Sequence, residues 1–524
     1  MVVIDLNGSI MTAYICMEFK ENNKRIAKNT LFLYFRQLLI MAVTLYTSRI
    51  VLQTLGITDF GIFNVVGGVV AMFSFVMGTM ASASQRYLAF DLANGDEKQL
   101  SEIFSIIMLS YVFLAIITLV LSESIAVWFL NTQMNIPAER MYAANWVLQF
   151  AILSFLANIF SAPYLSVIIA HEQMDVYAYV SIIDAVLKLF ILFLIRIFLF
   201  DRLILYSLLM FLCSSFTTIC YATFCYKRYR ESHFKYFFDK IRFIEMTTFA
   251  CWNMIGALAH VLRSQGINIL LNLFFNPAIN AARAIAFQVN GALRHLSTNF
   301  YTAIKPQIVK TYAVSNYMQM HNLIFKSTRF AYYLVFIMSM PVSFYADEIL
   351  SIWLKTPPDQ SVLFVQVIIV NVLFETLSMP LVSGLQAANK IKTYQLTVSI
   401  LNMMNLPISY VFLKMGYPPV TPMYIAIVIV IFSMIPRILI CRKYIHISLW
   451  QYFFSVIIRL IIVSIIGLLL SFTIYHKCTG NIYWKGIGFL SIIIVCGFVV
   501  LLVGITNSER RSIFKFLLDK TRNG

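Results

Sequence analysis

Residues 111–130 read YVFLAIITLVLSESIAVWFL, and Glu123 is the only charged residue among them. A helix of roughly 20 apolar residues is long enough to cross the hydrocarbon layer of a bilayer. The run is continuous and does not alternate between apolar and polar residues, as a half-buried strand would. Because a helix satisfies its own backbone hydrogen bonds in lipid, this stretch predicts a transmembrane helix.

Apolar runs of this kind recur along the whole chain of 524 residues, of which 60% are hydrophobic and 12% are charged. The mean hydropathy is +0.80, whereas a soluble protein typically has about 25% charged residues. We therefore predict an all-α polytopic membrane protein with about 14 transmembrane helices. The predicted spans lie near residues 30–52, 62–82, 103–130, 143–168, 178–199, 203–226, 247–273, 281–303, 329–348, 362–384, 393–414, 420–442, 452–473 and 484–505.

The distribution of positive charge predicts the orientation in the membrane. Under this assignment, 26 of the 40 lysines and arginines lie on the side of the N-terminus and 7 lie on the opposite side. Because cytoplasmic loops carry the excess of lysine and arginine, we predict that both termini are cytoplasmic. The net charge of +17 follows from this topology.

Other classes of function find little support in the composition. The basic residues are scattered over short loops and do not form the single patch that nucleic acid would require. The eight cysteines contain no C-x-x-C pair. We therefore predict free thiols, with no metal site, no cofactor and no nucleic-acid partner.

An internal repeat links two stretches of the chain. SAPYLSVIIAHEQMDVYAYVSII, from Ser161, matches SMPLVSGLQAANKIKTYQLTVSI, from Ser378, at a constant offset of 217 residues (378 − 161). The offset carries the first predicted span onto the seventh, which predicts two six-helix lobes and a C-terminal helix pair. An even number of spans gives both lobes the same orientation, so a pseudo-two-fold axis along the membrane normal would relate them. Transporters built from such parallel repeats bind their substrate between the repeats.

The repeat also sets the predicted domain boundaries. These are an N-terminal extension at 1–24, lobes at 25–230 and 231–445, and a helix pair with a cytoplasmic tail at 446–524. The residues before Met17 lack the order of a signal peptide, and we expect the extension to be poorly ordered. The matched Pro163 and Pro380 either terminate a helix or act as hinges during transport, and both interpretations predict a kink.

Arginines in several predicted spans indicate a site. A cation inside a span costs about 2.5 to 3.5 kcal/mol on insertion scales, so it usually faces a wet cavity or the protein interior. One polar stripe in the eighth span, spaced i, i+4, i+7 and i+11, consists of Arg283, Phe287, Asn290 and Arg294. The seventh and first spans carry similar stripes. The candidate substrate-binding residues are therefore Arg36, Arg49, Asn253, His260, Arg263, Arg283, Asn290 and Arg294.

Some of these residues have a purely structural alternative. Arg49 and Arg283 are near the outer ends of their spans and could extend to lipid headgroups. Few acids are available in the spans to neutralise the arginines. Asp184, an i,i+4 partner for Lys188, and Glu375 are the candidate coupling acids, although each could instead be a satisfied polar contact within the bundle.

The surplus of positive charge within the spans predicts a cationic cavity and an anionic substrate. A guanidinium group is always charged and donates two parallel hydrogen bonds, which suits the oxygens of phosphate. We therefore predict that the substrate bears phosphate.

Residues 24–96 carry a family resemblance. They read KRIAKNTLFLYFRQLLIMAVTLYTSRIVLQTLGITDFGIFNVVGGVVAMFSFVMGTMASASQRYLAFDLANGD. This stretch resembles the Wzx-type polysaccharide or O-antigen flippases of Bacteroides-like bacteria, within the multidrug/oligosaccharidyl-lipid/polysaccharide (MOP) exporter superfamily. The resemblance implies two six-helix lobes that open alternately to each side of the plasma membrane. It implies an undecaprenyl-diphosphate-linked oligosaccharide as substrate, and membrane lipids and other surface-polysaccharide assembly proteins as partners.

Two other functions stay open at the level of sequence. Cation-coupled drug exporters of the same superfamily commonly have an acid in the first span, and residues 30–52 contain none. A membrane polysaccharide polymerase or glycosyltransferase would need acid, base or metal groups, usually on sizeable loops or a separate domain. The outer loops here are short and poor in acids. We therefore predict a transporter that is not an enzyme.

Overall fold

The computed structural model describes residues 39–94, 97–171, 173–197, 200–388, 390–507 and 509–511. All regular secondary structure in these residues is helical, which confirms the predicted all-α class. Nine helices in the described chain are long and apolar enough to cross a membrane, or up to eleven if each of two bent helix pairs counts as one span. The protein is thus a multi-pass membrane protein, although the predicted count of 14 spans is not confirmed. The predicted extension at 1–24 lies outside the described residues.

The helices of the described chain are numbered in order. The first nine are α1 (Leu39–Leu55), α2 (Ile57–Ala71), α3 (Ser74–Asn94), α4 (Glu97–Leu121), α5 (Val127–Thr132), α6 (Met141–Ala170), α7 (Met174–Ile197), α8 (Arg202–Arg228) and α9 (Lys240–Val261). The next twelve are α10 (Ile267–Phe274), α11 (Pro277–Ala313), α12 (Tyr317–Phe344), α13 (Ala346–Leu354), α14 (Ser361–Thr376), α15 (Met379–Ala387), α16 (Ile391–Met403), α17 (Asn405–Lys414), α18 (Thr421–Ile445), α19 (Leu449–Tyr452), α20 (Ile458–Lys477) and α21 (Ile482–Val499).

The apolar run at 111–130 forms a membrane span, as predicted. It lies within a continuous helix, Glu97–Thr132, in which α4 and α5 are joined by a π-helical turn at Ser122–Ala126. One face of this helix is buried, including Tyr111, and another exposes apolar side chains such as Phe113. An exposed apolar face of this kind suits contact with lipid.

The predicted second span at 62–82 is wrong as a single helix. The α2 helix ends at Ala71 and α3 begins at Ser74, with a turn between them. A further break separates α1 from α2 at Gly56, whose φ of 83° favours glycine. The break at Gly56 falls between the predicted spans 30–52 and 62–82, whereas hydropathy misses the turn at 72–73 because Met72 and Phe73 are themselves apolar. Five predicted spans have no counterpart among the nine apolar helices of the described chain, namely 30–52, 62–82, 247–273, 281–303 and 329–348. Of these, 30–52 and 329–348 correspond to the first helices of the two bent pairs.

The chain folds into two compact units. Of the described residues, unit 1 contains those up to Gly56, Val69–Gln133 and Pro137–Met254, and unit 2 contains Ile57–Gly68, Met134–Ile136 and those from Ile255 onward. Most of α2 therefore belongs to the same unit as the C-terminal helices. In unit 1, a core around Phe104, Ile107 and Ile159 lies among α3, α4 and α6. The predicted lobes at 25–230 and 231–445 stay a prediction.

The start of α8 shows how a polar side chain fixes a helix end in unit 1. The carboxylate of Asp201 accepts hydrogen bonds from the N–H groups of Leu203 and Ile204, which are among the first donors of the helix. Arg140 pairs with the same carboxylate at 2.6 Å. Burial alone would raise the pKa of Asp201, but these hydrogen bonds outweigh it and hold that pKa below its ordinary range.

In unit 2, α11, α12 and α14 pack against one another, α18 packs against α14, and α20 and α21 pack against α12. Close approach depends on small residues, since a Cβ atom at Gly467 would lie 2.7 Å from the ring of Phe336. The hydroxyl of Tyr333 donates to the carbonyl oxygen of Gly504 at 2.9 Å. The α12 and α13 helices meet at a bend of 77°. These contacts form the frame that holds α11 and α14.

The α2 helix packs closely within unit 2 at Gly61, where a Cβ atom would overlap the backbone carbonyl of Pro277. Replacing Gly61 by alanine is expected to lower the free energy of unfolding by about 1 to 3 kcal/mol, because backbone atoms cannot rotate away from the added methyl group. Gly67→Ala is the matched control on the same helix, since nothing lies within 4 Å of its Cβ position. Thermal unfolding in one detergent measures both. If the two variants had the same midpoint of thermal unfolding, the close contact between Gly61 and Pro277 would be contradicted.

Candidate functional site

Three charged side chains of unit 2 meet near the end of α14. The Oε1 atom of Glu375 accepts hydrogen bonds from Nη2 of Arg263 at 2.7 Å and from Nδ2 of Asn371 at 3.3 Å. Its other oxygen, Oε2, lies 3.8 Å from Nη1 of Arg294. The side chains of Arg263 and Glu375 are 19% and 20% exposed, and that of Arg294 is 40% exposed. Glu375 therefore faces two guanidinium groups at once.

Both partners of the shorter ion pair lie where a helix is irregular. Arg263 is in a π-helical turn at Leu262–Gly266, which joins α9 to α10. Such turns are frequent at functional sites. Glu375 is the penultimate residue of α14, after which the chain turns at Leu377 and Ser378 before α15 begins. The pair thus connects two points at which the backbone departs from a regular α-helix.

Arg283 lies inside unit 2, on α11. It is 5% exposed, and its Nη2 atom donates to the carbonyl oxygen of Ser264 at 2.7 Å. Its guanidinium carbon lies 4.1 Å from the centre of the Phe287 ring, a cation–π contact. Among the described residues, its Nε atom has no hydrogen-bond partner. This placement does not match the alternative in which Arg283 extends to lipid headgroups.

The charged cluster borders two cavities of unit 2. The first has a volume of about 290 Å³, and its lining includes Arg437, Tyr394 and Asn402. The second has a volume of about 280 Å³, and all four residues of the predicted eighth-span stripe line it. Three residues line both cavities, namely Arg263, Arg294 and Glu375. Together with Arg283 and Arg437, the linings hold four arginines and one carboxylate, a formal surplus of three positive charges.

Arg437 is a site residue that the sequence analysis did not select. It is 6% exposed, lies on α18, and its guanidinium carbon is 5.7 Å from the centre of the Tyr394 ring. Nothing in its local pattern separates it from the basic residues that follow at the end of the same helix. Arg442 lies within the same predicted span 420–442, so no local signal in the sequence would have selected Arg437.

The amide side chains of the second cavity offer unused acceptors. Within the described residues, Oδ1 of Asn290 and Oδ1 of Asn371 are buried without a hydrogen-bond partner. An unpaired buried acceptor is costly, and a ligand hydroxyl could donate to it. The arrangement can therefore bind an anion through guanidinium forks and hydroxyl groups through amide oxygens.

The other predicted binding residues are less informative. Arg49 lies half-buried on α1 in unit 1, and Arg36 lies outside the described residues. Asn253 and His260 are on α9, but their side chains are not part of the described structure. The arginines that the structure brings together therefore all come from unit 2.

The predicted coupling acid Asp184 and the two predicted hinge prolines lie in different surroundings. Asp184 pairs with Lys188 at 2.7 Å in unit 1, as predicted, and also lies 3.3 Å from Sγ of Cys213.

Pro163 lies within α6, which continues past it, whereas Pro380 lies in the first turn of α15. The repeat copies thus differ, with an unbroken helix in one and a helix start in the other.

Solved structures share this fold at low sequence identity. The lipid II flippase MurJ, in an inward closed conformation, aligns with a TM-score of 0.69 and 12% identity over 90% of this chain and 98% of that chain. An inward-facing multidrug resistance MATE family transporter of the MOP superfamily aligns at 0.63 and 12% identity, over 76% of this chain and 96% of that one. The MATE multidrug transporter DinF-BH aligns at 0.60 and 10% identity, over 81% of this chain and 97% of that one.

Comparisons of sequence add nothing to these structural likenesses. No family model matches the chain, and no curated protein matches it. At 10% to 12% identity the likeness to solved structures concerns the fold and does not extend to the substrate. The chain has the fold of transporters of the MOP exporter superfamily.

Proposed function

We propose that this protein is a flippase that moves an undecaprenyl-diphosphate-linked oligosaccharide from the inner to the outer leaflet of the bacterial plasma membrane, for surface polysaccharide biosynthesis. The observation that carries the proposal is the set of four arginines that line two cavities, in which Glu375 is the one carboxylate among the described residues. Buried arginines are expensive in a membrane protein, so their surplus needs an anionic partner. A lipid-linked diphosphate supplies such a partner from within the bilayer itself.

The site chemistry fits a head that carries both phosphate and hydroxyl groups. The guanidinium groups of Arg263 and Arg294 would bind the diphosphate, for which their paired N–H donors are suited. The unpaired amide oxygens of Asn290 and Asn371 are buried, and a rotation of either side chain into the cavity would let it accept a hydrogen bond from a sugar hydroxyl. The lipid tail would stay among the acyl chains of the bilayer. Charge thus selects the lipid-linked head over neutral lipids.

Translocation would follow an alternating-access cycle between the two six-helix lobes, with both termini in the cytoplasm. Pro163 and Pro380 are the proposed hinges of this movement. Asp184 stays the candidate for ion coupling in unit 1, where Lys188 is its partner. Other surface-polysaccharide assembly proteins would supply and consume the lipid-linked substrate on the two sides of the membrane.

A cation-coupled exporter of small molecules is the second candidate, because multidrug MATE transporters share the fold. The charges of the site argue against it. Glu375 is the one carboxylate among the described residues that line either cavity, and it already faces two arginines. A positively charged drug would meet a surplus of positive charge. A polymerase or glycosyltransferase is also disfavoured, because the described part of each cavity lining holds no second carboxylate to act as general acid or base.

The proposal predicts that replacing the buried arginines slows translocation. In proteoliposomes loaded with a short-chain prenyl-diphosphate disaccharide, Arg263→Ala and Arg437→Ala are each expected to reduce transfer between leaflets at least about tenfold, since a hydrogen bond to a charged group contributes about 1.5 to 3 kcal/mol. Lysine at the same positions should reduce the transfer rate less than alanine does, because the charge remains while the fork geometry of the guanidinium group is lost. The rate of transfer between leaflets is measured from the fraction of the lipid that a soluble reagent outside the vesicles can reach over time.

Arg442→Ala is the matched control for Arg437→Ala, since Arg442 is exposed and lies on the same helix. We expect this control to transfer substrate at the wild-type rate. Wild-type rates for every buried variant, at normal protein levels, would remove the basis of the proposed function.

A further inference from the structure

Glu375 occupies the place that an anionic substrate would need. Its carboxylate faces Arg263 at 2.7 Å and Arg294 at 3.8 Å. Carboxylate and phosphate oxygens accept from the same N–H groups of a guanidinium fork. A phosphate head therefore cannot use the full donor set of these two arginines while Glu375 stays between them.

The carboxylate is held unequally by its two neighbours. Oε1 accepts hydrogen bonds from Arg263 and from Asn371, whereas the Oε2 contact with Arg294, at 3.8 Å, is longer than a hydrogen bond. Arg294 is also the more exposed of the two arginines, at 40% against 19%. The donors of Arg294 are thus the ones open to a competing anion.

The surroundings of Glu375 leave room for it to move. Its side chain lines both the cavity of about 290 Å³ and the cavity of about 280 Å³, so it can turn from one towards the other. The backbone is also interrupted directly after it, because α14 ends at Thr376 and α15 starts at Met379. A residue in the last turn of a helix is less constrained than one in its middle.

We propose that Glu375 is an internal counter-ion, which neutralises the arginines in the empty protein and is displaced when a phosphate-bearing head binds. This inference rests on the proposed function, because it assumes that the arginine cluster holds the anionic head. It makes Glu375 a determinant of specificity. Weakly charged anions such as chloride or inorganic phosphate must compete with a carboxylate that is already in place, whereas a diphosphate brings more charge and more acceptors.

Glu375→Gln tests the proposal, because glutamine keeps the size and one oxygen acceptor but removes the charge. Binding of inorganic pyrophosphate to the purified full-length protein, measured by calorimetry, is expected to be at least about tenfold tighter in this variant, which corresponds to about 1.4 kcal/mol. Inorganic phosphate should also bind more tightly, because it faces the same competing carboxylate in the wild-type protein. A neutral disaccharide should bind no more tightly than before.

Two further variants complete the test. Glu123→Gln removes a carboxylate of unit 1, in the π-helical turn that follows α4, and should leave pyrophosphate binding unchanged. Glu375→Asp keeps the charge but shortens the reach to both arginines, so we expect a smaller gain in pyrophosphate affinity than for Glu375→Gln. This variant also serves if Glu375→Gln fails to fold.

The outcomes separate the inference from the function on which it rests. If the wild-type protein binds pyrophosphate and neither Glu375 variant binds it more tightly, the counter-ion role is overturned while an anion site remains. If no variant binds pyrophosphate at all, the arginine cluster is not a phosphate site and both proposals fail.

Discussion

Arg263→Glu is expected to lower the free energy of unfolding by about 3 to 5 kcal/mol, the usual cost of leaving a buried charge without its partner. The substitution would place two carboxylates in contact. In the wild-type protein, Arg263 and Glu375 form an ion pair at 2.7 Å, with side chains 19% and 20% exposed. Exchanging the residues, with Arg263→Glu and Glu375→Arg together, restores opposite charges. We expect the exchanged protein to recover most of the lost stability, as measured by thermal unfolding in detergent.

Pyrophosphate binding gives a second readout of the same exchange. The single variant should lose at least about tenfold in affinity, or about 1.4 kcal/mol, because one cation is gone and a second anion faces the ligand. The control is Lys485→Glu, which breaks a more exposed pair with Glu348, at 2.9 Å and with 32% and 15% exposure. We expect this control to change the unfolding midpoint little, because an exposed ion pair contributes little to stability. If the exchanged protein were no more stable than the single variant, the charges would not be compensating each other.

Glu509→Ala is expected to be comparably destabilising, by about 3 to 5 kcal/mol, because it strands the buried guanidinium of Arg329. The two side chains are only 6% and 5% exposed and lie 2.5 Å apart. Nη1 of Arg329 also donates to the carbonyl oxygen of Ser455 at 3.1 Å. Glu509 further accepts from the N–H of Thr506 at 2.8 Å, and its own N–H donates to Oγ1 of that residue at 3.3 Å, the reciprocal arrangement of a capping box.

Two comparisons make this result specific. Arg511→Ala, two residues further and exposed, should leave the unfolding midpoint unchanged. Replacing both Arg329 and Glu509 by methionine removes both charges and should be close to neutral, because paired apolar residues avoid the desolvation cost of the ions. A double variant as unstable as Glu509→Ala would show that loss of packing, and not an uncompensated charge, explains the effect.

The sequence predicts those features that depend on neighbouring residues along one helix. The long apolar runs predict an all-helical membrane protein, and the i, i+4, i+7 and i+11 spacing places Arg283 and Arg294 on one stripe, since both signals are local. The ion pair of Asp184 and Lys188 joins residues four positions apart and is predicted for the same reason. Each of these inferences needs only helical periodicity.

The features that sequence reasoning missed depend on long-range packing or on irregular backbone. Arg263 and Glu375 are 112 residues apart, and nothing in either segment identifies the partner. The π-helical turn that holds Arg263 has no sequence pattern of its own, and the turn between α2 and α3 falls on apolar residues, so neither is visible in hydropathy as an irregular backbone. Arg437 was missed because burial by other helices, and not its place in α18, distinguishes it from the arginine and lysine that follow.

The assignment of Ile57–Gly68 to unit 2 has a consequence for biosynthesis. Nδ2 of Asn268 donates to the carbonyl oxygen of Asn64, and these residues are separated by 204 positions. At a translation rate of about 5 to 20 residues per second, the ribosome needs on the order of 10 to 40 s to supply that partner. During this interval the early segment must wait in the nascent chain, so assembly of the second unit begins with a piece made long before the rest and cannot proceed strictly in order of synthesis.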